Sequence, residues 1–256
     1  QRGYAVPAVA TGKPVALGGT MGQAGSTGLS LFYTIEKTLK KLRRDLRGVT
    51  VAVQGFGRVG SNSALYLSRC GAKVIAVADA GGGIYAPTGL DVPELIEVVS
   101  KRRTVTAMQR AERITDEDLL AMDVDVLVLA ALGNQIRADN AHRVRARIIA
   151  EGGPGVVTPR ADRMLEEDGR DSHVVIPYIL GAAGGMVVAY FEWVQDVQAF
   201  FWGVEQIEDL LRTIIHRAFA EVWALHDEHK VTLRVAAHIL AVTRVAHSAL
   251  LRGIWP

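Results

Sequence analysis

The sequence predicts an α/β fold in which a doubly wound, mostly parallel β-sheet is followed by a C-terminal helical tail. Three observations lead to this prediction. Short runs of Val, Ile, Leu and Ala alternate with helical stretches, a glycine-rich turn follows the first of these runs, and the pattern becomes helical alone after about residue 185. Such alternation is typical of a parallel sheet that is covered by helices on both faces.

The predicted strands are short and almost entirely apolar. Continuous apolar runs are expected where helices cover both faces of a parallel sheet, because neither face then meets water. The expected strands lie at residues 49–56, 73–79, 125–131, 147–151 and 173–177.

Helical patterns fill the intervals between these strands, at residues 58–70, 92–102, 116–122 and 159–168. An earlier helix is expected to start with Ser26 or Thr27 as its cap and to run to about Leu42. The tail is predicted to hold helices at 186–198, 205–229 and 232–251. In the second of these, a stripe at four-residue spacing is expected to be buried: Leu210, Ile214, Ala218 and Val222.

Composition argues against several classes of protein. The 29 Lys and Arg residues oppose 27 Asp and Glu residues, and the resulting formal charge of +2 gives no field that indicates nucleic acid. The single cysteine and the lack of a signal-like N-terminus predict a cytoplasmic protein. Residues 174–191 carry no charge, but Pro177 and the glycines at 181, 184 and 185 favour a buried strand, a turn and a helix start over a membrane span.

The glycine-rich turn carries the strongest functional signal. Gly55, Gly57 and Gly60 form G-x-G-x-x-G directly after a predicted strand and at the start of a predicted helix, which is the arrangement that binds a dinucleotide pyrophosphate. Asp79 ends the next strand, nineteen residues after Gly60, where a carboxylate can accept hydrogen bonds from the adenosine ribose. This pattern favours NAD. NADP remains open, because Arg58 lies in the loop and could meet a phosphate.

Other chemistry-bearing residues favour simpler interpretations. The basic run between Lys37 and Arg47 is expected to be a solvated helix end, and His226 and His229 lack a third ligand for a metal. Cys70 is expected to be a small buried hydrophobe. We therefore predict no metal site, and the absence of G-x-S-x-G gives no support for serine hydrolysis.

Several motifs along the chain give it a recognisable likeness. They are TGKPVALGG at 11–19, STG at 26–28, VAVQGFGRVG at 51–60, AALGNQI at 130–136, TPRAD at 158–162, AGG at 183–185, YFEWVQ at 190–195 and the terminal RGIWP. With them, the chain resembles the cofactor-binding half of the glutamate dehydrogenase family, the hexameric Glu/Leu/Phe/Val dehydrogenases. The generic alternative, an unspecialised nucleotide-binding module, is disfavoured by YFEWVQ and RGIWP.

The resemblance implies roles for individual residues. It assigns Thr27 to the carboxamide end of the cofactor, Asp79 to the adenosine ribose, and Ala131 and Asn134 to the nicotinamide ribose. The loop would hold the pyrophosphate with Gly55, Phe56, Gly57, Arg58 and Val59. It also implies a cofactor domain at 1–200, helices at 201–256 that return to a preceding domain, and a homo- or hetero-hexamer. The family's catalytic lysine and aspartate have no counterpart here, so no catalytic residue is assigned.

Departures from the family pattern leave two functions open. Two asparagines, an aspartate and a serine that line the family's cleft are replaced here by Pro154, Ala182, Tyr178 and Ala189, respectively. One hypothesis is an NAD(P)-dependent dehydrogenase that oxidises an amino acid, with glutamate giving 2-oxoglutarate and ammonia. The alternative is a catalytically inactive relative that assembles with an active subunit and regulates it. The intact glycine loop favours the first, and the four changes favour the second.

Overall fold

A seven-stranded β-sheet forms the centre of the structure. The computed structural model describes residues 6–167 and 173–253. The strands are β1 (Thr50–Gln54), β2 (Lys73–Asp79), β3 (Gly82–Tyr85), β4 (Glu112–Ile114), β5 (Val126–Leu129), β6 (Ile148–Glu151) and β7 (Val174–Ile176). Their order is β4-β3-β2-β1-β5-β6-β7. Strands β2, β1, β5, β6 and β7 run parallel, which confirms the predicted mostly parallel sheet.

Helices cover both faces of this sheet and form the tail. They are α1 (Ser26–Lys41), α2 (Arg58–Arg69), α3 (Val92–Arg102), α4 (Asp116–Leu120), α5 (Pro159–Glu167), α6 (Tyr178–Gly181), α7 (Gly184–Gln198), α8 (Val204–His229) and α9 (Leu233–Arg252). The uncharged segment at 174–191 folds as expected, into β7, the short helix α6 and the start of α7. Within the described residues, no helix combines the length and the apolar character that a membrane crossing requires.

Two large clusters of buried side chains lie on the two sides of the sheet. The first includes Leu31 and Ile35 of α1 together with Val51 and Val53 of β1. The second includes Leu127 of β5 and side chains from α4 and α5. Alternate residues of each strand point to opposite faces, so one apolar run supplies both clusters.

The two strands at one side of the sheet were not predicted: β4, which forms the edge, and its neighbour β3. Strands β3 and β4 pair antiparallel with each other, and β3 pairs antiparallel with β2. β3 has the sequence GGIY and β4 has ERI, so neither shows a run of branched apolar residues. Their pairing follows from the turn after β2 and is not visible as a local hydrophobic pattern.

The predicted cap of α1 and the predicted buried stripe of α8 are both wrong in detail. Gly25 is the N-cap of α1, and Ser26 is the first residue of the helix. The Ser26 hydroxyl donates to the carbonyl of Gln23 at 2.8 Å and does not cap the helix. In α8 the buried stripe is shifted by one residue at the first three predicted positions, so that Leu210 is exposed, whereas Val222 is buried as predicted. The buried residues of this helix are mostly its larger apolar side chains: Ile207, Leu211, Ile215, Phe219, Val222 and Trp223.

The prediction that Cys70 is buried is also wrong. The residue is exposed at the end of α2, because the helix ends there and its last turn reaches the surface. Two further expectations, the end of α5 at residue 168 and the last residues of RGIWP at 254–256, fall outside the described residues.

An ion-pair network connects the tail to the sheet. Arg234 of α9 donates to Glu151 at the end of β6, with both N–O distances 2.9 Å, and to Asp162 of α5 at 2.7 and 3.0 Å. Glu151 also accepts a hydrogen bond from the backbone N–H of Tyr178 at 2.8 Å. Although burial alone would lower the pKa of Arg234, its hydrogen bonds with the two carboxylates raise it above the ordinary value.

This network gives a prediction about stability. The Glu151 side chain is only 1% exposed, so Arg234→Met would leave a buried carboxylate without its cation. We expect the free energy of unfolding to fall by about 3 kcal/mol, the lower end for a broken buried pair, because Arg234 itself is partly exposed. Urea unfolding followed by circular dichroism measures this change.

The matched control lies on the same helix. Arg244 pairs with Glu221 at the surface, and both side chains are substantially exposed. Arg244→Met should therefore change the free energy of unfolding by no more than about 1 kcal/mol. Equal losses in the two variants would contradict the importance assigned to the buried network.

Candidate nucleotide-binding site

The glycine loop brings α2 into close contact with the end of β1. Gly55 has a φ of +88°, and a Cβ there would lie 2.5 Å from the carbonyl oxygen of Ala130. A Cβ at Gly60 would lie 1.8 Å from the carbonyl oxygen of Gly55. Any side chain at either position would push the helix away from the sheet, so these two glycines fix the start of α2 beside the ends of β1 and β5.

Gly57 differs from these two glycines because it faces open space. It is the N-cap of α2, with extended backbone, and no described atom lies within 4 Å of the position where its Cβ would be. No side chain caps the helix there, so the first N–H groups of α2 are not satisfied by a capping oxygen. The start of α2 therefore offers N–H donors and a positive helix dipole to an anion that approaches over Gly57.

A cavity of about 350 Å³ opens directly in front of this loop. It lies at the carboxyl ends of β1, β2 and β5, where the chain switches from one side of β1 to the other, the usual ligand position in such sheets. The lining residues are Gln54, Gly55, Phe56, Gly57, Ala78, Asp79, Ala80, Asp116, Ala131, Leu132 and Gln135.

Asp79 is held rigidly at the rim of the cavity. Its Oδ1 accepts hydrogen bonds from the Gly81 N–H at 2.8 Å and the Thr104 hydroxyl at 3.0 Å, and its Oδ2 accepts from the Val105 N–H at 2.7 Å. Since two carboxylate oxygens offer about four acceptor positions, little of its capacity is left for a ligand. The side chain is fixed before any ligand binds.

Six of the lining residues were not predicted from the sequence, and three of these are polar: Asp116, Gln54 and Gln135. Asp116 opens α4, and its pKa is raised by partial burial and by the negative charge of Asp79. Gln54, 2% exposed, donates through Nε2 to Oε1 of Gln135 at 2.7 Å. Gln54 adjoins the glycine motif in sequence, but nothing local to Asp116 indicates a place in this cavity, because it arrives from a separate helix.

The nine predicted site residues do not all meet in this cavity. Five of them line it: Gly55, Phe56, Gly57, Asp79 and Ala131. Arg58 and Val59 follow in the first turn of α2, and the Arg58 side chain is exposed. Thr27 and Asn134 do not line it.

Thr27 and Asn134 lie in neighbouring segments of the same sheet edge. The hydroxyl of Thr27 would be 2.8 Å from a Cβ at Gly185, so Thr27 faces the start of α7. Asn134 has a φ of +63°, and its N–H donates to the carbonyl of Gly155 at 2.7 Å. Neither residue therefore shares the cavity with the five predicted residues that line it.

The four positions that depart from the family pattern are spread over adjoining segments. Pro154 is exposed in the loop after β6, Tyr178 begins α6, Ala182 is buried after α6, and Ala189 is half-buried on α7. The described segments around them approach α1 closely, since a Cβ at Gly184 would lie 2.2 Å from the carbonyl oxygen of Ser26.

Two of the distant sequence motifs meet each other. Lys13 of TGKP forms ion pairs with Glu192 of YFEW and with Asp196, each at 2.6 Å. Burial alone would raise the pKa of Glu192, but its hydrogen bonds from Lys13 and from the N–H groups of Gly12 and Lys13 lower it. These contacts hold the segment around Lys13 against α7, so the TGKP and YFEW motifs form one contact between two parts of the chain.

A larger cavity, of about 470 Å³, lies beside α8 and α9 and away from the glycine loop. Its lining includes Arg234 and Asp162, which already pair with each other. In the described part of the chain, no three His, Cys, Asp or Glu side chains form a group that could hold a metal ion. The cavity at the glycine loop is therefore the candidate site, because it alone combines that loop with a helix N-terminus and a sheet edge.

The sequence is similar to those of known dehydrogenases along nearly its whole length. The family model for Glutamate/Leucine/Phenylalanine/Valine dehydrogenase matches residues 18–253. Glutamate dehydrogenase from Thermotoga maritima is 45% identical over 255 residues, covering 99% of this chain and 61% of that protein. NAD-specific glutamate dehydrogenase from Staphylococcus aureus (strain COL) is 39% identical over 247 residues, covering 96% of this chain and 59% of that protein.

Solved structures of glutamate dehydrogenases are similar to this chain in fold as well as in sequence. Hetero-hexameric glutamate dehydrogenase from Thermus thermophilus, in a leucine-bound form, matches with a TM-score of 0.90 and 36% identity, covering 98% of this chain and 58% of that one. Glutamate dehydrogenase from Peptoniphilus asaccharolyticus matches with a TM-score of 0.82 and 31% identity, covering 96% and 57%.

This chain spans about 60% of the length of the curated relatives it matches. The family model covers residues 18–253, a range that contains the glycine loop, the cavity and the tail helices up to the end of α9. The chain belongs to the glutamate/leucine/phenylalanine/valine dehydrogenase family.

Proposed function

We propose that this chain is the cofactor-binding part of a cytoplasmic, NAD-dependent amino-acid dehydrogenase and that it holds NAD in the cavity at the glycine loop. The observation that carries this proposal is the open space over Gly57, at the uncapped start of α2. A pyrophosphate fits there because it needs close approach to the backbone and N–H donors, and both are available.

Individual residues would bind different parts of the cofactor. The backbone from Gly55 to Val59 would hold the pyrophosphate, and Asp79 would face the adenosine ribose. Ala131 and Asn134 would lie toward the nicotinamide ribose, with Thr27 at the carboxamide end. The cofactor would supply the hydride acceptor for the amino acid, and the residues of this chain would bind and orient it.

NAD is proposed over NADP. The cavity rim presents the Asp79 carboxylate, which repels a phosphate on the ribose, whereas Arg58 is exposed and does not line the cavity. The relative from Staphylococcus aureus is named as NAD-specific, which agrees with this preference.

For the whole protein, the proposed reaction is the oxidation of an amino acid, with glutamate giving 2-oxoglutarate and ammonia. The names of the similar proteins support glutamate as the substrate. We assign no catalytic residue within these 256 residues.

The proposed domain organisation is a cofactor domain at 1–200 and a tail at 201–256 that packs on another domain. The exposed apolar side chains of Val242, Val245 and Leu250 support this packing.

A second candidate function is regulation of an active subunit within a hexamer. The observation that favours it is the set of four replaced cleft residues: Pro154, Tyr178, Ala182 and Ala189. Loss of a buried polar contact to a ligand typically costs about 1–3 kcal/mol, so four such losses would prevent productive binding of substrate and nicotinamide. The solved relative from Thermus thermophilus is a hetero-hexamer, which supports assembly of unlike subunits as a route to such a role.

The cofactor proposal predicts the effect of a side chain at Gly57. Valine adopts the extended backbone of this residue without strain, but its side chain would occupy the space that a pyrophosphate needs. We expect Gly57→Val to raise the Kd for NADH at least about tenfold. Isothermal titration calorimetry on the whole protein measures this.

Gly203→Val is the matched control. Gly203 is likewise an extended N-cap, on α8, and a Cβ there also meets open space. Both variants should lose the same helix-cap stability, about 1 kcal/mol or less, but Gly203→Val should leave the Kd unchanged. An unchanged Kd in Gly57→Val would contradict the proposed cofactor position.

The regulatory alternative makes a prediction about assembly. Co-expression of the whole protein with an active glutamate dehydrogenase from the same cell should give a mixed hexamer whose turnover differs from that of the active enzyme alone. Light scattering measures the mass, and a steady-state assay measures the turnover. Two separate species with unchanged kinetics would dispose of this alternative and leave the dehydrogenase proposal in place.

A further inference from the structure

The part of the cavity beside β2 holds two carboxylates. Asp79 ends β2, Asp116 opens α4, and both line the cavity. None of the described residues that line it is Lys, Arg or His. The start of α2 and the end of β1 lie between these carboxylates and β5, so with the pyrophosphate at α2 the adenosine ribose would lie on the side of Asp79 and Asp116.

The two carboxylates differ in how many hydrogen bonds they already accept from the protein. Asp79 accepts three hydrogen bonds from its own surroundings. Asp116 has no hydrogen bond or ion pair from a described residue, and its side chain is exposed to the solvent of the cavity. Proximity to Asp79 contributes to the raised pKa of Asp116, which places the two groups in one electrostatic environment. Asp116 therefore keeps its acceptor positions for a ligand.

The buried side-chain amide of Gln54 also has an oxygen without a hydrogen-bond donor in the described part of the chain. Gln54 Oε1 has no hydrogen-bond partner among the described residues, although Gln54 is only 2% exposed and lines the cavity. A buried acceptor without a partner is costly, and because this oxygen has almost no exposed surface, an enclosed water molecule or a small shift of the amide would satisfy it. The acceptors that face a ligand on this side of the cavity are the carboxylates of Asp79 and Asp116, which suit hydroxyl donors and disfavour a further anion.

We propose that Asp116 is a second cofactor-specificity residue, which accepts a hydrogen bond from the ribose hydroxyls and excludes a phosphate at the ribose 2′ position. This inference rests on the proposed binding of NAD in the same cavity. The usual arrangement has a single acidic residue, at the end of the second strand. Here that residue, Asp79, already accepts three hydrogen bonds from the protein, and the proposed second acid comes from the separate helix α4.

The test compares NADH with NADPH on the whole protein. Asp116→Asn removes the charge, keeps the shape and still offers one acceptor oxygen. We expect it to strengthen NADPH binding about tenfold, because the 2′ phosphate no longer meets a negative charge. The Kd for NADH should change by less than about threefold, because the Asn oxygen still accepts from the ribose hydroxyl. Isothermal titration calorimetry near neutral pH gives both constants.

Glu117→Gln is the matched control. Glu117 is the next residue on α4, is exposed, and pairs with Arg143 outside the cavity. It removes the same net charge, so an equal gain in NADPH affinity would mean a general field effect and would overturn the role of Asp116. In the unchanged protein, raised salt should narrow the gap between NADH and NADPH, because exposed charges are screened.

The outcomes separate this inference from the proposed function. If the unchanged protein binds NADH and Asp116→Asn leaves the NADH to NADPH preference as it was, the role of Asp116 is wrong and the cofactor site stands. If the unchanged protein binds neither nucleotide, the proposed function itself fails and this inference fails with it.

Discussion

The contact between Gly60 of α2 and the carbonyl of Gly55 is the constraint on which the candidate site depends. A Cβ at Gly60 would lie 1.8 Å from that oxygen, so the helix can approach the strand only with glycine there. This approach sets the first turn of α2 at the carboxyl ends of β1 and β5, with its N–H groups toward the cavity. The rim residues then follow from where β2 and α4 end and begin.

Most of the fold could be predicted because its strands are buried on both faces. In β1 and β5 this burial leaves continuous apolar runs that identify a strand without further information. The pair β3 and β4 could not be predicted, because the glycines of one and the charges of the other hide any pattern. In α8, apolar residues occur on neighbouring faces, and the size of Leu211, Ile215 and Phe219 decides which face is buried.

The site was predictable only as far as it is encoded locally. Gly55, Gly57 and Asp79 follow from a strand, a turn and a second strand that are continuous in the sequence, and the structure places all three at one cavity. Asp116 carries no local signal, because its position depends on how α4 packs on the sheet. The hydrogen bonds that Asp79 accepts from Thr104 and Val105 also depend on tertiary packing and could not be predicted from the sequence. They leave Asp79 with fewer acceptor positions for a ligand than Asp116 has.

The central claim is that the cavity at the glycine loop holds the adenosine and pyrophosphate half of NAD. Calorimetric titration of the whole protein with ADP-ribose, and with NADH in the presence of ADP-ribose, tests it most directly. The account predicts that ADP-ribose binds with a measurable Kd and competes with NADH, because both bring the same pyrophosphate to the start of α2. No binding of ADP-ribose, or binding of NADH that saturating ADP-ribose does not weaken, would contradict it.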